Sequence, residues 1–257
     1  MTSIFTNIGV LAKNFTLNIQ KGSDFYEKIR MYLVTDRPKS KSLISYNRNS
    51  MRLYSENIGA MYGFITGNEP VQGGSVTMLG DITDKGVIKG DLYVKDINII
   101  DVPESTRILK VFSIVGVLDA LKSKKIEFKS IRGGFTLRDG RYTTENISAI
   151  GKNIAVSAKG YVDFYNKNLE LKGMILPSYK LGNFLGNIPF FGTLISGVDG
   201  QGPLTQNYTA TGEFDSYKVS VDNSGILTIG LLRNIFSSLL NKKNVPVIFT
   251  EDDLKGN

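Results

Sequence analysis

The 257-residue sequence contains no cysteine, no histidine and no tryptophan. Without histidine, the chain has no imidazole to serve as the base of a catalytic triad or as a metal ligand. Without cysteine, it has no thiol nucleophile, no disulfide and no thiolate zinc site. A chain of this length needs no disulfide to stabilise its core, so the lack of cysteine does not exclude an oxidising compartment. These absences remove most familiar enzyme chemistries.

Long apolar runs and targeting signals are also missing. No stretch approaches the ~20 continuous apolar residues that cross a bilayer. The N-terminal residues 1–10 lack the basic region and the apolar region of a signal peptide. We therefore expect neither an export signal nor a membrane anchor within this sequence.

Motifs that bind phosphate or carry a nucleophile are absent as well: there is no P-loop, dinucleotide fingerprint or nucleophile elbow. The carboxylates Asp163 and Glu170 are interpreted as hairpin surface charges, although a hydrolase with two carboxylates in a cleft stays open as a remote alternative. Asp81 and Asp84 are interpreted as turn residues because too few ligands gather there for calcium. The sequence predicts a protein that is not an enzyme, with no catalytic residue, no cofactor and no metal.

The net charge of +7 is unevenly distributed. The first 60 residues carry nine Lys and Arg against four Asp and Glu, with basic clusters at 37–41 and 48–52. Such a patch suits anionic lipid or nucleic acid. No aromatic stacking motif or helix-turn-helix pattern accompanies it, so a solvated loop face is the favoured interpretation and no nucleic-acid partner is predicted.

What the sequence does contain is a long series of alternating apolar and polar residues, the period of half-buried strands. Weak strands are predicted within 1–50, a strand at 51–54, a hairpin at 76–94, and a meander at 126–176 in which a phase shift near Lys129 predicts a bulge. The longest predicted apolar face lies on two strands of this meander and consists of Ile154, Val156, Ala158, Gly160, Val162 and Phe164, then Leu169, Leu171, Gly173 and Ile175. A last strand pair is predicted over 204–221.

Helices are predicted in three places. Residues 57–65 predict a short helix, 104–121 an amphipathic helix that covers a sheet face, and 226–239 a final amphipathic helix. A further segment, 177–197, is apolar but interrupted by glycine and by Pro189, which predicts two short helical turns joined by a kink. Its large residues are Leu181, Phe184, Leu185, Ile188, Phe190, Phe191, Leu194 and Ile195. A core plug and a membrane-contacting tip are both compatible with this segment.

The region 173–197, with its Ile188-Pro189-Phe190-Phe191-Gly192 run, resembles the C-terminal region of AsmA-like proteins, in particular their YhdP branch. The strand pair around 208–222 and the Leu232-Arg233-Asn234-Ile235-Phe236 run are similar to the family's ending. Val71-Gln72-Gly73-Gly74-Ser75-Val76, followed by Gly90-Asp91-Leu92, is similar to its preceding hairpin. The resemblance covers about residues 51–240.

This resemblance implies a long β-groove of Gram-negative envelope proteins that is anchored at the inner membrane, spans the periplasm and takes part in moving phospholipid toward the outer membrane. The chain departs from the family in being far shorter and in lacking its N-terminal membrane helix. It is therefore also compatible with a trimmed copy or a piece of a split gene, whose partner would be the N-terminal part of a longer AsmA-like protein.

We expect a mainly β fold, a curved antiparallel sheet that forms an open apolar groove, with amphipathic helices at its C-terminal end. The expected domains are an N-terminal β segment at 1–50, an AsmA-like groove at 51–240 and a polar tail at 241–257. The expected partners are phospholipid acyl chains, held by Ile154, Val156, Ala158, Val162, Phe164, Leu169, Leu171 and Ile175, and a membrane surface. The membrane contacts are expected at Phe184, Leu185, Ile188, Phe190, Phe191, Leu194, Ile195, Ile229, Leu232 and Phe236. The alternative is an interaction module that docks by sheet-edge pairing onto another chain.

Overall fold

The structure is a computed structural model. It describes residues 4–5, 11–21, 26–67, 71–83, 85–100, 125–151, 154–177, 206–214 and 216–222. The chain divides into two compact units, Met1–Ile100 with Lys243–Asn257, and Asp101–Lys242. The domain boundaries expected from the sequence are not tested by this division and stay a prediction.

Unit 1 is an antiparallel sheet in which sheet order follows chain order. Its elements are β1 (Ile4–Phe5), β2 (Leu11–Lys21), β3 (Tyr26–Arg37), β4 (Lys39–Asn47), β5 (Ser50–Ser55), α1 (Ile58–Thr66), β6 (Val71–Ile82) and β7 (Ile88–Ile100). Local turn chemistry positions the strands. Between β4 and β5, the Asn47 side-chain oxygen accepts hydrogen bonds from the backbone N–H groups of Asn49 and Ser50, at 2.9 and 2.8 Å, as asparagine does in tight turns.

Helix α1 begins and ends with strong capping signals. The Asn57 side chain accepts a hydrogen bond from the Ala60 backbone N–H at 3.0 Å, and Gly67 closes the helix in the left-handed conformation at φ 71°. Asparagine is favoured at the N-cap because its side-chain oxygen accepts a hydrogen bond from a free backbone N–H of the first turn. Glycine is favoured after the last turn because it adopts the left-handed conformation without strain. The helix packs on the sheet through the buried side chains of Leu33 and Met61.

Unit 2 is a second antiparallel ladder in chain order. It consists of β8 (Lys125–Arg138), β9 (Arg141–Gly151), β10 (Ile154–Asp163), β11 (Asn168–Pro177), β12 (Gln206–Glu213) and β13 (Lys218–Asp222). The β8–β9 turn uses Asp139 and Gly140, both at positive φ (48° and 74°), as a two-residue turn that matches the twist of the strands requires.

The predicted mainly β, antiparallel and curved fold is confirmed. The predicted bulge near Lys129 is confirmed by a register shift between Phe128 and Ser130, and the short helix at 57–65 is confirmed as α1. The predicted helices at 104–121 and 226–239, and the segment after Pro177 up to 197, lie outside the described residues. Every predicted membrane-contacting residue lies in these ranges.

Two expectations at the β10–β11 hairpin are wrong. β10 ends at Asp163, so Phe164 does not continue the apolar face of the strand. It lies in the turn, 59% exposed, with its ring 6.2 Å from that of Phe214. Asp163, expected as a surface charge, is 3% exposed because the hairpin turn folds over it.

Candidate functional site

The register of β10 and β11 brings the predicted groove residues of the two strands together. Val156 lies opposite Ile175 and Val162 opposite Leu169, with two further pairs between them. Because side chains alternate across a strand, these residues share one face of the sheet. We call it the unit-2 apolar face. Its apolar residues and glycines are Ile131, Gly133, Ile147, Ala149, Val156, Ala158, Gly160, Val162, Leu169, Leu171, Gly173, Ile175, Tyr208 and Ala210. The same registers also place Thr144 opposite Gly160, Tyr142 opposite Val162 and Gln206 opposite Ile175.

Burial along the predicted groove residues is uneven. Ala158 and Ile175, with Ile154 at the start of β10, are buried at 8, 3 and 2% exposure. Val156, Val162, Leu169 and Leu171 are only partly buried. The more accessible part of this face therefore lies mainly in the hairpin half of the two strands.

Tyr208 covers part of the unit-2 apolar face and was not identified from the sequence as a site residue. It lies opposite Gly173, and its hydroxyl donates a hydrogen bond across that glycine to the backbone carbonyl of Ser157 at 3.1 Å. A Cβ on Gly173 would meet the Ser157 carbonyl oxygen and the Tyr208 ring. Burial raises the pKa of Tyr208 well above its ordinary value, so the hydroxyl stays a hydrogen-bond donor.

Unit 1 carries a second apolar face that the sequence did not single out as a site. One row crosses six strands without a polar residue, and its members are Leu17, Met31, Ile44, Leu53, Met78 and Leu92. We call it the unit-1 apolar row. Leu17 is 48% exposed and the other five are partly buried. At about 4.8 Å between strands, six strands span about 24 Å.

Helix α1 covers one side of the unit-1 apolar row. Met31, Ile44 and Leu53 pack against the cluster formed by Leu33 and Met61. Next to the helix, Phe15 of β2 contacts Phe64 with a ring-centroid distance of 5.7 Å. The helix, which packs mainly against β6, therefore bounds the apolar face.

The opposite face of unit 2 carries polar side chains, but several of them are buried rather than exposed to solvent. Ser148, Ser157 and Asn207 are 1, 1 and 4% exposed. They stand in one cross-strand row that also contains the fully buried Met174. Each of the three has a buried side-chain oxygen without a hydrogen-bond partner. Alternation in the sequence predicts which face these residues occupy, but it does not predict their burial.

At the end of the β10–β11 hairpin, a charged cluster surrounds the buried carboxylate of Asp163. The backbone and side-chain amides of Asn166 donate hydrogen bonds to it at 2.9 and 3.0 Å, and Arg141 forms an ion pair at 2.9 Å. The guanidinium of Arg141 also lies 4.4 Å from the centre of the Tyr161 ring. The hydrogen bonds from Asn166, and then Arg141, lower the pKa of Asp163 to about 2.

The two carboxylates considered above as a catalytic pair each form an ion pair with a different basic side chain. Asp163 pairs with Arg141, and Glu170 pairs with Lys172 at 3.2 Å. Within the described residues, no group of three or more acidic side chains is placed to hold a metal ion. A cavity of about 280 Å³ beside α1 is lined by Pro38, Asn57, Gly59, Ala60, Val71, Gln72 and Gly73, which include no titratable side chain.

No family model, curated protein or solved structure matches this chain. Among the described residues, none of the helices has the length and apolar character that a bilayer-spanning helix needs. The apolar faces of the two units are therefore the features on which a functional proposal rests.

Proposed function

We propose that the protein is a non-enzymatic lipid-binding segment of the cell envelope whose apolar sheet faces hold phospholipid acyl chains. The observation that carries this proposal is the unit-1 apolar row, which crosses six strands and stays partly exposed. The resemblance of residues 51–240 to AsmA-like proteins supports the same function. In this proposal the chain takes part in phospholipid transport between the inner and outer membranes, and its location is the periplasm.

An acyl chain suits these faces for a physical reason. It is long, unbranched and apolar, so it gains about 0.8 kcal/mol for every CH₂ that leaves water. A row of aliphatic side chains has no hydrogen-bonding groups that a ligand must match, and it therefore accepts different acyl chains.

The proposal is tested by native mass spectrometry of the full chain, with lipid extraction of the same sample. We expect bound phospholipid in the wild type and its loss in Val162→Asp, because a carboxylate on the apolar face is costly to desolvate. Met78→Asp tests the unit-1 apolar row in the same way.

The matched control is Thr143→Asp. Thr143 is opposite Tyr161 in the register and lies on the other face of the sheet, so this change adds the same charge without entering the apolar face. A folded wild type without lipid, or equal lipid content in Val162→Asp and Thr143→Asp, would contradict the proposal. Circular dichroism of each variant separates loss of lipid from loss of fold.

A further inference from the structure

The two most exposed large hydrophobic side chains among the described residues are neighbours in one turn. Phe164 and Tyr165 are 59 and 77% exposed. Both belong to residues 164–167, the turn that joins β10 to β11. Single hydrophobic residues are normal on a protein surface, but adjacent exposed aromatic side chains are more typical of an interaction site.

Backbone hydrogen bonds tie this turn to the turns of the two neighbouring hairpins. The Phe164 N–H donates to the carbonyl of Gly140 at 3.1 Å, and the Phe214 N–H donates to the carbonyl of Lys167 at 2.8 Å. The ring of Phe164 lies 6.2 Å from that of Phe214, and a Cβ on Gly140 would meet the ring of Tyr165. The three turns therefore form one continuous surface. We call it the unit-2 tip, and it consists of residues 139–140, 164–167 and Phe214.

The unit-2 tip adjoins the more accessible half of the unit-2 apolar face. Val162 and Leu169 are opposite each other on that face, and only the pair of Asp163 and Asn168 separates them from the turn. The side chains of Asp163 and Asn168 belong to the other face because side chains alternate along a strand. In the function proposed above, an acyl chain that reaches this face from a bilayer would therefore enter beside the tip.

The charges near the tip indicate which kind of partner fits it. Residues 138–141, 163–168 and 213–218 contain four Lys and Arg and four Asp and Glu, so their formal charges cancel. A nucleic acid or a strongly anionic surface would favour an excess of cations. Aromatic side chains without net charge suit the boundary between the headgroups and the acyl chains of a bilayer, where a tyrosine ring lies among apolar groups with its hydroxyl in water.

We infer that the unit-2 tip docks on the surface of a phospholipid bilayer by inserting Phe164 and Tyr165 into the headgroup boundary. The inference rests on the proposed function for its choice of partner, because a protein that holds phospholipid has to meet a bilayer. Since the aromatic side chains drive the contact, it needs neither anionic lipid nor low salt.

The first test places a fluorescent reporter at the tip. The sequence contains no tryptophan, so Tyr165→Trp gives the full chain a single one. We expect its emission to shift to the blue when phosphatidylcholine vesicles are added, because the indole leaves water, and to do so at about 0.15 M and at about 1 M salt. The matched control is Tyr62→Trp, since Tyr62 is 40% exposed on α1; its emission should not shift.

The second test measures flotation of the full chain with the same vesicles. We expect the double variant Phe164→Ser/Tyr165→Ser to partition onto them at least about tenfold less than the wild type, because two exposed aromatic side chains no longer leave water. The matched control is Tyr62→Ser/Ile65→Ser, which removes two exposed large side chains from α1 and should float as the wild type does. Circular dichroism checks that both variants are folded, and the tryptophan measurement tests the tip without them.

No blue shift in Tyr165→Trp, a shift that disappears at the higher salt concentration, an equal shift in Tyr62→Trp, or equal flotation of the two double variants would overturn the inference. A shift that appears without vesicles and grows with protein concentration would assign the tip to self-association and would also overturn it. Vesicle binding by a chain that carries no phospholipid in native mass spectrometry would support the tip contact and contradict the proposed function. Bound phospholipid without any shift would overturn the tip contact alone.

Discussion

At the scale of single residues, tertiary contacts change what a side chain does. Asp163 looks like a surface charge in the sequence, but it lies buried under its own hairpin turn with Arg141 and Asn166. Gly173 looks like one more small residue in an alternating strand, but its missing side chain lets Tyr208 reach the carbonyl of Ser157. Both arrangements depend on partners that only strand pairing brings close.

The buried carboxylate of Asp163 predicts a specific acid sensitivity. Its pKa is about 2 in the folded protein and 3.8 without these contacts, so its contribution to stability is complete above about pH 4 and is lost as the pH falls toward 2. We expect Asp163→Asn to be less stable than the wild type at pH 7, with the difference shrinking between pH 4 and pH 2. Urea unfolding at pH 7, 4, 3 and 2 measures this.

The control for this prediction is Asp139→Asn. The side chain of Asp139 is 88% exposed, and asparagine tolerates the positive φ of that turn position. We expect its urea midpoints to follow those of the wild type at every pH. A constant gap between Asp163→Asn and the wild type across this pH range would show that the carboxylate charge contributes nothing.

At the scale of secondary-structure elements, the strands form because their residues alternate, and α1 forms because it is capped at both ends. α1 is nine residues long, which is short for a helix to be stable by itself. Its packing on Leu33 and its capping by Asn57 therefore carry much of its stability. A short helix at 57–65 was predicted from the sequence, but its position on the apolar face was not.

We expect Asn57→Ala to destabilise unit 1 by about 1 kcal/mol, because the change removes the hydrogen bond to the Ala60 backbone N–H. Denaturant unfolding measures the loss. Asn57→Ser keeps a capping oxygen and should recover most of it. If the serine variant is as unstable as the alanine variant, the cap is not the reason for the loss.

At the scale of the whole molecule, each of the two compact units has an apolar face. The proposed function is based on the presence of these two faces. Large contiguous apolar patches on a protein surface mark binding surfaces, and the partly exposed apolar faces of the two units are candidates of this kind. In our proposal acyl chains cover these faces.

Lipid should then act as a stabilising ligand for the folded chain. A ligand that binds only the folded state adds about 2.7 kcal/mol to its stability at a hundred times its Kd. We expect the midpoint of thermal unfolding to rise when the delipidated wild type receives short-chain phospholipid below its micellar concentration, and to rise less in Val162→Asp. Equal shifts in the wild type and in that variant would argue against acyl-chain binding at the unit-2 apolar face.

The sequence by itself determined which residues share a face, because alternation is a local property of an extended chain. From it came the strand set, the face shared by Val156 and Val162, and the bulge near Lys129. Only the tertiary structure decided how these faces combine. The unit-1 apolar row needs the register of six strands, and the burial of Asp163, the position of Tyr208 and the joining of three turns at the unit-2 tip depend on residues distant in sequence, which local periodicity does not encode.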